Sequence, residues 1–333
     1  MTNKTMRTSV RLKVSSTVLA ATLACGSLLA CGDDGASSGP PPLVAPPMTW
    51  TNIEFPDTTC RDGSPAGLAV SLNPASKKVM IYLEGGGACF DVATCFLSPG
   101  NTSAFQGEQK QGLFDRTKAN NPVKDWNFVY IPYCTGDTHG GTKKDGVVAG
   151  VSGTHQFTGY TNITTFLKRI VPTFPDATDV LLTGISAGGY GAAQNAIQVA
   201  KAFPNVKMKL IDDSGPGFST AAMPSCLQIK WRDTFGFEDS FLKECGADCP
   251  NHDNFVNDYA VAITRRYQDR SSGMIESLQD SVISRFIAAG NNNCTGRALV
   301  DQVPLDVYAA DLLSFRDQVK GYPNFGTYLP TST

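Results

Sequence analysis

The residues best placed to do covalent chemistry lie in Leu181 to Asn195, LLTGISAGGYGAAQN. Gly184-Ile185-Ser186-Ala187-Gly188 fits Gly-x-Ser-x-Gly, a pattern that forms a sharp strand-to-helix turn and pushes a serine hydroxyl out at the end of a sheet. The same five residues can also make an ordinary turn, so the flanks decide. Asp179 to Thr183 is a short apolar run suited to a buried parallel strand. Ala187, Gly188, Gly189, Gly191, Ala192 and Ala193 are small enough for a helix to start close against that strand. Ser186 is the expected nucleophile of an acyl transfer.

A second segment suits the same chemistry. Lys78 to Leu83, KVMIYL, is β-branched and aromatic, is bounded by turn residues, and reads as a strand. It runs into Glu84-Gly85-Gly86-Gly87-Ala88-Cys89. A glycine backbone approaches a substrate with no side chain in the way. The amides of Gly86, Gly87 and Ala187 are therefore expected to form an oxyanion hole, in which one donor contributes roughly a hundred- to thousandfold in rate. A serine hydroxyl also needs a base, and hydrolases of this type order the triad as Ser, Asp or Glu, then His. His139 and His155 precede Ser186, and only His252 follows it. His139 suits either substrate contact or a loop hydrogen bond, and His155 reads as a turn or surface residue. His252 reads as an exposed loop residue, with a rewired base beside Asp212, Asp213 or Asp248 as the alternative.

The elements that must position these residues alternate. After Lys78–Leu83 come a strand at Trp126–Tyr133, a helix at Tyr160–Ile170, the strand at Asp179 and another at Val206–Ile211. This order predicts an α/β domain with a mostly parallel sheet flanked by helices. The loops 84–89, 134–141 and 184–189 then leave the carboxyl ends of strands and meet on one rim, where open α/β sheets bind ligands. Residues 216–270 lose the alternation and read as a helical, lid-like excursion or pocket wall. Met274–Ile287 follows, then an amphipathic helix at Val307–Val319 and a short last strand at Phe325–Leu329.

Ahead of this domain (48–333), Lys4, Arg7, Arg11 and Lys13 precede the apolar stretch Val18–Ala30 and Leu28-Leu29-Ala30-Cys31-Gly32. This pattern predicts a lipoprotein signal peptide over 1–31 with lipidation of Cys31, and hence export with attachment to a cell envelope. A plain secretory signal is the alternative. The Ser/Gly/Pro run over 32–47 reads as a flexible tether. The 28 basic and 30 acidic residues leave no electrostatic footprint for nucleic acid. Beyond Cys25 and Cys31, eight cysteines in an exported chain favour disulfides. Zinc is disfavoured because Cys245 and Cys249 have no second clustered pair and His252 completes no ligand set.

Taken together, YLEGGGAC at 82–89, IPYCTGD at 131–137, LLTGISAGGYGA at 181–192, DSGPGF at 213–218 and SLQDSVI at 277–283 resemble the pectinacetylesterase family. The resemblance covers most of the chain from about residue 50. It implies an α/β-hydrolase fold and removal of an O-acyl group by a Ser–Asp–His triad without cofactor or metal. It places Ser186 as nucleophile, Asp280 as acid, and Gly86, Gly87 and Ala187 as oxyanion donors. It also suggests the pairs Cys89–Cys95 and Cys60–Cys134. Gly87 and Ala88 are small where much of the family carries an aromatic residue after the position of Gly86, so the substrate is not carried over. The family base is expected just after the last strand, where FGTYLPTST holds no histidine. The leading expectation is a base beyond Thr333 in a longer chain, with rewiring through His252 or loss of catalysis as alternatives. The expected substrate is an O-acetylated polysaccharide such as pectin. A glycan-binding lipoprotein without activity is the rival, and a serine peptidase finds no support.

Overall fold

Near-continuous apolar runs are the local reason for the sheet. Asn127–Ile131 is buried at every position, and Lys78–Leu83 and Asp179–Ile185 are mostly buried, as in strands covered on both faces. The computed structural model describes residues 39–102 and 111–331. In chain order the described strands are β1 Thr51–Thr59, β2 Pro65–Ser71, β3 Lys78–Leu83, β4 Asn127–Ile131, β5 Lys143–Gly146, β6 His155–Phe157, β7 Asp179–Ile185, β8 Lys209–Asp213, β9 Ser272–Ile275 and β10 Phe325–Tyr328. Eight of them form one sheet in the order β1-β2-β4-β3-β7-β8-β9-β10, while β5 and β6 make a separate ribbon. All neighbours from β4 to β10 run parallel, and β1 and β2 add an antiparallel edge. The fold is of the expected α/β class.

The helices are α1 Val92–Leu97, α2 Gly159–Thr173, α3 Ala187–Gln194, α4 Ala196–Ala202, α5 Ser225–Phe235, α6 Phe241–Cys245, α7 Phe255–Arg266, α8 Ser281–Phe286, α9 Asn291–Cys294 and α10 Leu305–Val319. Side chains alternate across the strands, so the sheet has two cores. Val79, Ile81, Val129, Ile131, Val180 and Leu182 join the larger one. Met80, Phe128, Tyr130 and Leu181 point to the other face. There Trp50 stacks on Phe128 at 5.9 Å between ring centres, and Phe114 meets the same ring edge-on at 5.6 Å. Register aligns Leu83 with Gly184, Gly184 with Asp212, and Asp212 with Met274. The carboxyl ends of four adjacent strands therefore sit at one level.

Several boundaries differ from expectation. Trp126–Tyr133 shortens to β4, and the strand expected at Val206–Ile211 begins only at Lys209 because the Val206 amide closes a turn onto the Phe203 carbonyl. Met274–Ile287 divides into the end of β9, a turn and α8. Residues 216–270 are helical, carrying α5, α6 and α7. The expected signal peptide, with Cys31, lies outside the described residues. Within the expected tether, the described part is docked: Leu43 is buried, its amide donates to Thr173 Oγ1 at 2.7 Å, and Arg169 Nε donates to the Pro41 carbonyl at 2.9 Å. An apolar side chain set among prolines gives this stretch something to bury, so the domain begins before residue 48.

Cys60–Cys134 and Cys89–Cys95 are disulfides, as the family pattern suggests, and Cys226–Cys294 and Cys245–Cys249 complete four bridges. The cysteines weighed as zinc ligands are thus bonded to each other. No described helix is long and apolar enough to cross a membrane.

Candidate active site

Ser186 occupies the turn between β7 and α3 with φ 57° and ψ −119°. For a residue with a Cβ, such a backbone costs of order 1–3 kcal/mol and persists only where its surroundings enforce it. Here they do. The Ser186 amide donates to the Asp213 carbonyl at 2.8 Å, and its carbonyl accepts from the amides of Gly189 and Tyr190 at 2.9 and 3.1 Å. α3 can start this close to the sheet because position 188 has no side chain: a Cβ there would lie 2.0 Å from the Leu83 carbonyl oxygen. Ser186 remains half-exposed while the rest of α3's first turn is buried. Ala187 is the first helical residue, so its amide has no intrahelical acceptor.

The glycine loop after β3 faces this turn. Gly86 and Gly87 adopt φ 154° and 80°, and a Cβ on Gly86 would lie 2.7 Å from the Tyr133 ring. Tyr133 holds the loop in place. Its amide donates to Glu84 Oε2 at 2.9 Å, its hydroxyl donates to the Gly87 carbonyl at 2.8 Å, and that hydroxyl accepts from the Thr138 amide at 2.8 Å. The loops 84–89 and 134–141 are thereby clamped together, with the Cys89 amide donating to the Gly136 carbonyl as a second tie. Ser186, Gly87 and Ala187 line one small recess on this rim, and Gly86, next in the loop, packs against Tyr133 without lining it.

Asp280 caps α8, its Oδ1 accepting from the amides of Val282 and Ile283 at 2.7 Å each. The helix it starts places Ile283, Phe286 and the following Ile287 in the wall of the same recess. Burial, and after it the charges of Glu276, Asp212 and Asp280, push the Tyr190 hydroxyl well above its ordinary value, four residues along the chain from Ser186.

No histidine is offered to Ser186 as a base by the contacts these residues make. His139 is buried, and its Nε2–H donates to the Glu84 carbonyl at 2.8 Å. Burial pushes its pKa down to about 4, so the ring is neutral and its Nε2 proton is committed to the loop. Of the two roles expected for His139, the loop hydrogen bond is the one present. His155 lies on β6 beside Phe157. His252 is paired through Nδ1 with Glu238 Oε2 at 2.7 Å. None of the three carboxylates considered for it is its partner, and Asp248 instead pairs with Arg265 and Arg266.

Asp137 and Glu276 are buried carboxyls that the sequence reading did not single out. Asp137 accepts from Thr135 Oγ1 at 2.5 Å, the His139 amide at 3.1 Å and the Gly159 amide at 2.7 Å, tying the 134–141 loop to α2. Burial raises its pKa to about 6 despite these bonds. Glu276 is fully buried, and burial, reinforced by the charges of Asp280 and Asp212, raises it to about 9. At neutral pH it is a carboxylic acid. Asp137 falls in a quoted motif, but nothing in the sequence around Glu276 marks a buried acid.

A Gly-x-Ser-x-Gly elbow at the carboxyl edge of a parallel sheet, facing a glycine loop, defines an α/β-hydrolase. The fold agrees: the Drosophila Wnt deacylase Notum structure superposes with a TM-score of 0.62 at 19% identity, over 86% of each chain. The chain belongs to the pectinacetylesterase family, whose pattern matches residues 46–237, more than half of its length. It is also similar to two palmitoleoyl-protein carboxylesterases named NOTUM. It is 30% identical to that of Drosophila melanogaster over 181 residues, 49% of this chain and 27% of the relative. It is 27% identical to that of Homo sapiens over 173 residues, 47% of this chain and 34% of the relative. The match thus spans about a quarter to a third of these relatives.

Proposed function

We propose that the protein is a serine carboxylic ester hydrolase that removes O-acyl groups, acetyl in the first instance, from a polysaccharide such as pectin. The observation that carries this reading is the enforced backbone of Ser186 beside Gly87 and Ala187 in one recess. Ser186 Oγ attacks the ester carbonyl, and the oxygen that becomes negative is held by the amides of Ala187, Gly87 and Gly86. Collapse expels the sugar hydroxyl as the alcohol, and water hydrolyses the acyl-enzyme to release acetate.

The proton acceptor this reading requires is a histidine oriented by Asp280. The Leu278 amide donates to the Pro330 carbonyl at 2.8 Å, which brings the backbone after β10 to within two residues of Asp280. A placed base is what separates catalysis from binding. Because His139 and His252 are engaged elsewhere, the second reading is a glycan-binding protein that keeps the cleft without turnover. In both readings the protein is exported and anchored through lipidated Cys31, and the four disulfides suit an oxidising compartment.

Acetate release from acetylated pectin by protein expressed from its full reading frame tests the proposal. Release that is lost in Ser186→Ala supports the esterase. Retention of the polysaccharide with no acetate release supports the binder.

A further inference from the structure

The recess beside Ser186 is small and apolar. Its volume is about 20 Å³, room for one or two water molecules or a methyl group. Trp231 forms a fixed wall: it is buried and packed between the rings of Phe90 and Tyr190, with centres at 5.5 and 5.8 Å, and backed by Phe235 at 6.1 Å. Ile283 and Ile287 are likewise buried. Phe286 differs, being only half-buried on the last turn of α8 and reaching across to the glycine loop. A Cβ added to Gly87 would lie 2.8 Å from Phe286 Cζ. The phenyl ring therefore occupies the space that any side chain at position 87 would need.

We infer that Phe286 sets the acyl-length limit of this site, its ring closing over Gly87 so that the recess admits an acetyl group and turns away longer straight chains. This inference rests on the esterase reading for its link to turnover, but the steric claim stands on the recess itself. A longer acyl chain has to displace one of the recess walls. Trp231, Ile283 and Ile287 are held by the core, which leaves Phe286 as the wall whose removal opens a path.

The test compares p-nitrophenyl acetate, butyrate and octanoate with the protein from its full reading frame, with Phe286→Ala and with the milder Phe286→Leu as a folding safeguard. The wild type should show an octanoate-to-acetate ratio of kcat/KM below about one tenth, and Phe286→Ala should raise that ratio by about tenfold or more. Octanoate binding to Ser186→Ala is followed in parallel by tryptophan fluorescence, with Trp231→Phe identifying the reporter. A Trp231 response should appear only when Phe286→Ala or Phe286→Leu is combined with Ser186→Ala. An unchanged ratio in both Phe286 variants, or a wild type that prefers octanoate, overturns the inference. If no ester is hydrolysed at all, the esterase reading fails and fluorescence alone decides the limit. A Trp231 response confined to the Phe286 variants supports it, and an equal response, or none, with and without Phe286 overturns it.

Discussion

Ser186 and Tyr133 show two ways in which single residues build this site. Ser186 holds a backbone conformation that its own side chain disfavours, and Tyr133 keeps the facing loop from relaxing by bonding to Gly87 and Thr138 at once. Tyr133→Phe leaves the part-buried Gly87 carbonyl and the buried Thr138 amide without that partner. Each such loss costs about 1–3 kcal/mol. Stability should fall by that order in urea denaturation. The kcat for p-nitrophenyl acetate should fall about tenfold or more while KM moves little, because a loosened loop misplaces the proposed oxyanion donors. An unchanged kcat would show that Tyr133 does not support the donors. Ser186 was legible because Gly-x-Ser-x-Gly places residue types at fixed spacing within one turn. Tyr133 lay in a quoted motif, but the use of its hydroxyl depends on two loops meeting, which spacing along the chain does not encode.

At the scale of elements, α8 carries an acid at its N-cap and lends Ile283 and Phe286 to the recess wall. Asp280 caps α8 and, in the proposed mechanism, also orients the base, and the two roles are separable. Asparagine caps a helix about as well as aspartate, whereas alanine does not. Asp280→Asn should keep stability within about 0.5 kcal/mol of wild type while lowering kcat by roughly three to four orders of magnitude, as removal of a triad acid does. Asp280→Ala should lose about 1 kcal/mol of stability in addition. Equal activity in wild type and Asp280→Asn would reduce the residue to a cap. The Cys60–Cys134 bridge closes a 74-residue separation between β1's end and the 134–141 loop. Its removal by Cys60→Ser with Cys134→Ser should cost about 2–5 kcal/mol, read from the shift of the denaturation midpoint. The central parallel strands could be read from sequence because burial on both faces leaves a continuous apolar run. β9 could not: its four residues, SGMI, include a serine and a glycine, and it owes its place to the partners β8 and β10.

For the whole molecule, buried acids set the pH range of stability. Glu276 is raised to about 9 and Asp212 is raised well above its ordinary value, both chiefly by burial. A group whose folded pKa is raised contributes fully below its unfolded value, and that contribution is lost as pH climbs toward the folded one. For Glu276 the window runs from about 4.3 upward to about 9. His139, lowered to about 4, acts in the opposite sense and destabilises the fold as pH falls from about 6.5. Stability should therefore decline from pH 6.5 to pH 8.5, and Glu276→Gln should flatten that decline. Denaturation at the two pH values reads this directly, and a wild-type midpoint that rises with pH would contradict it. The alternating order of strands and helices foretold the α/β class, and the helical nature of 216–270 followed from its lost alternation. The docking of Leu43 and the burial of Glu276 did not show, because each depends on contacts between segments more than fifty residues apart or on depth within the core.

Every part of the proposed mechanism depends on Ser186 acting as an esterase nucleophile. The most direct test is p-nitrophenyl acetate hydrolysis by protein from the full reading frame beside Ser186→Ala, with the site of fluorophosphonate labelling mapped by mass spectrometry. Turnover should fall by at least about a thousandfold in the variant, and a single phosphonylated peptide should contain Ser186. Turnover that survives Ser186→Ala, or a folded wild type that neither turns over nor takes the label, would contradict it.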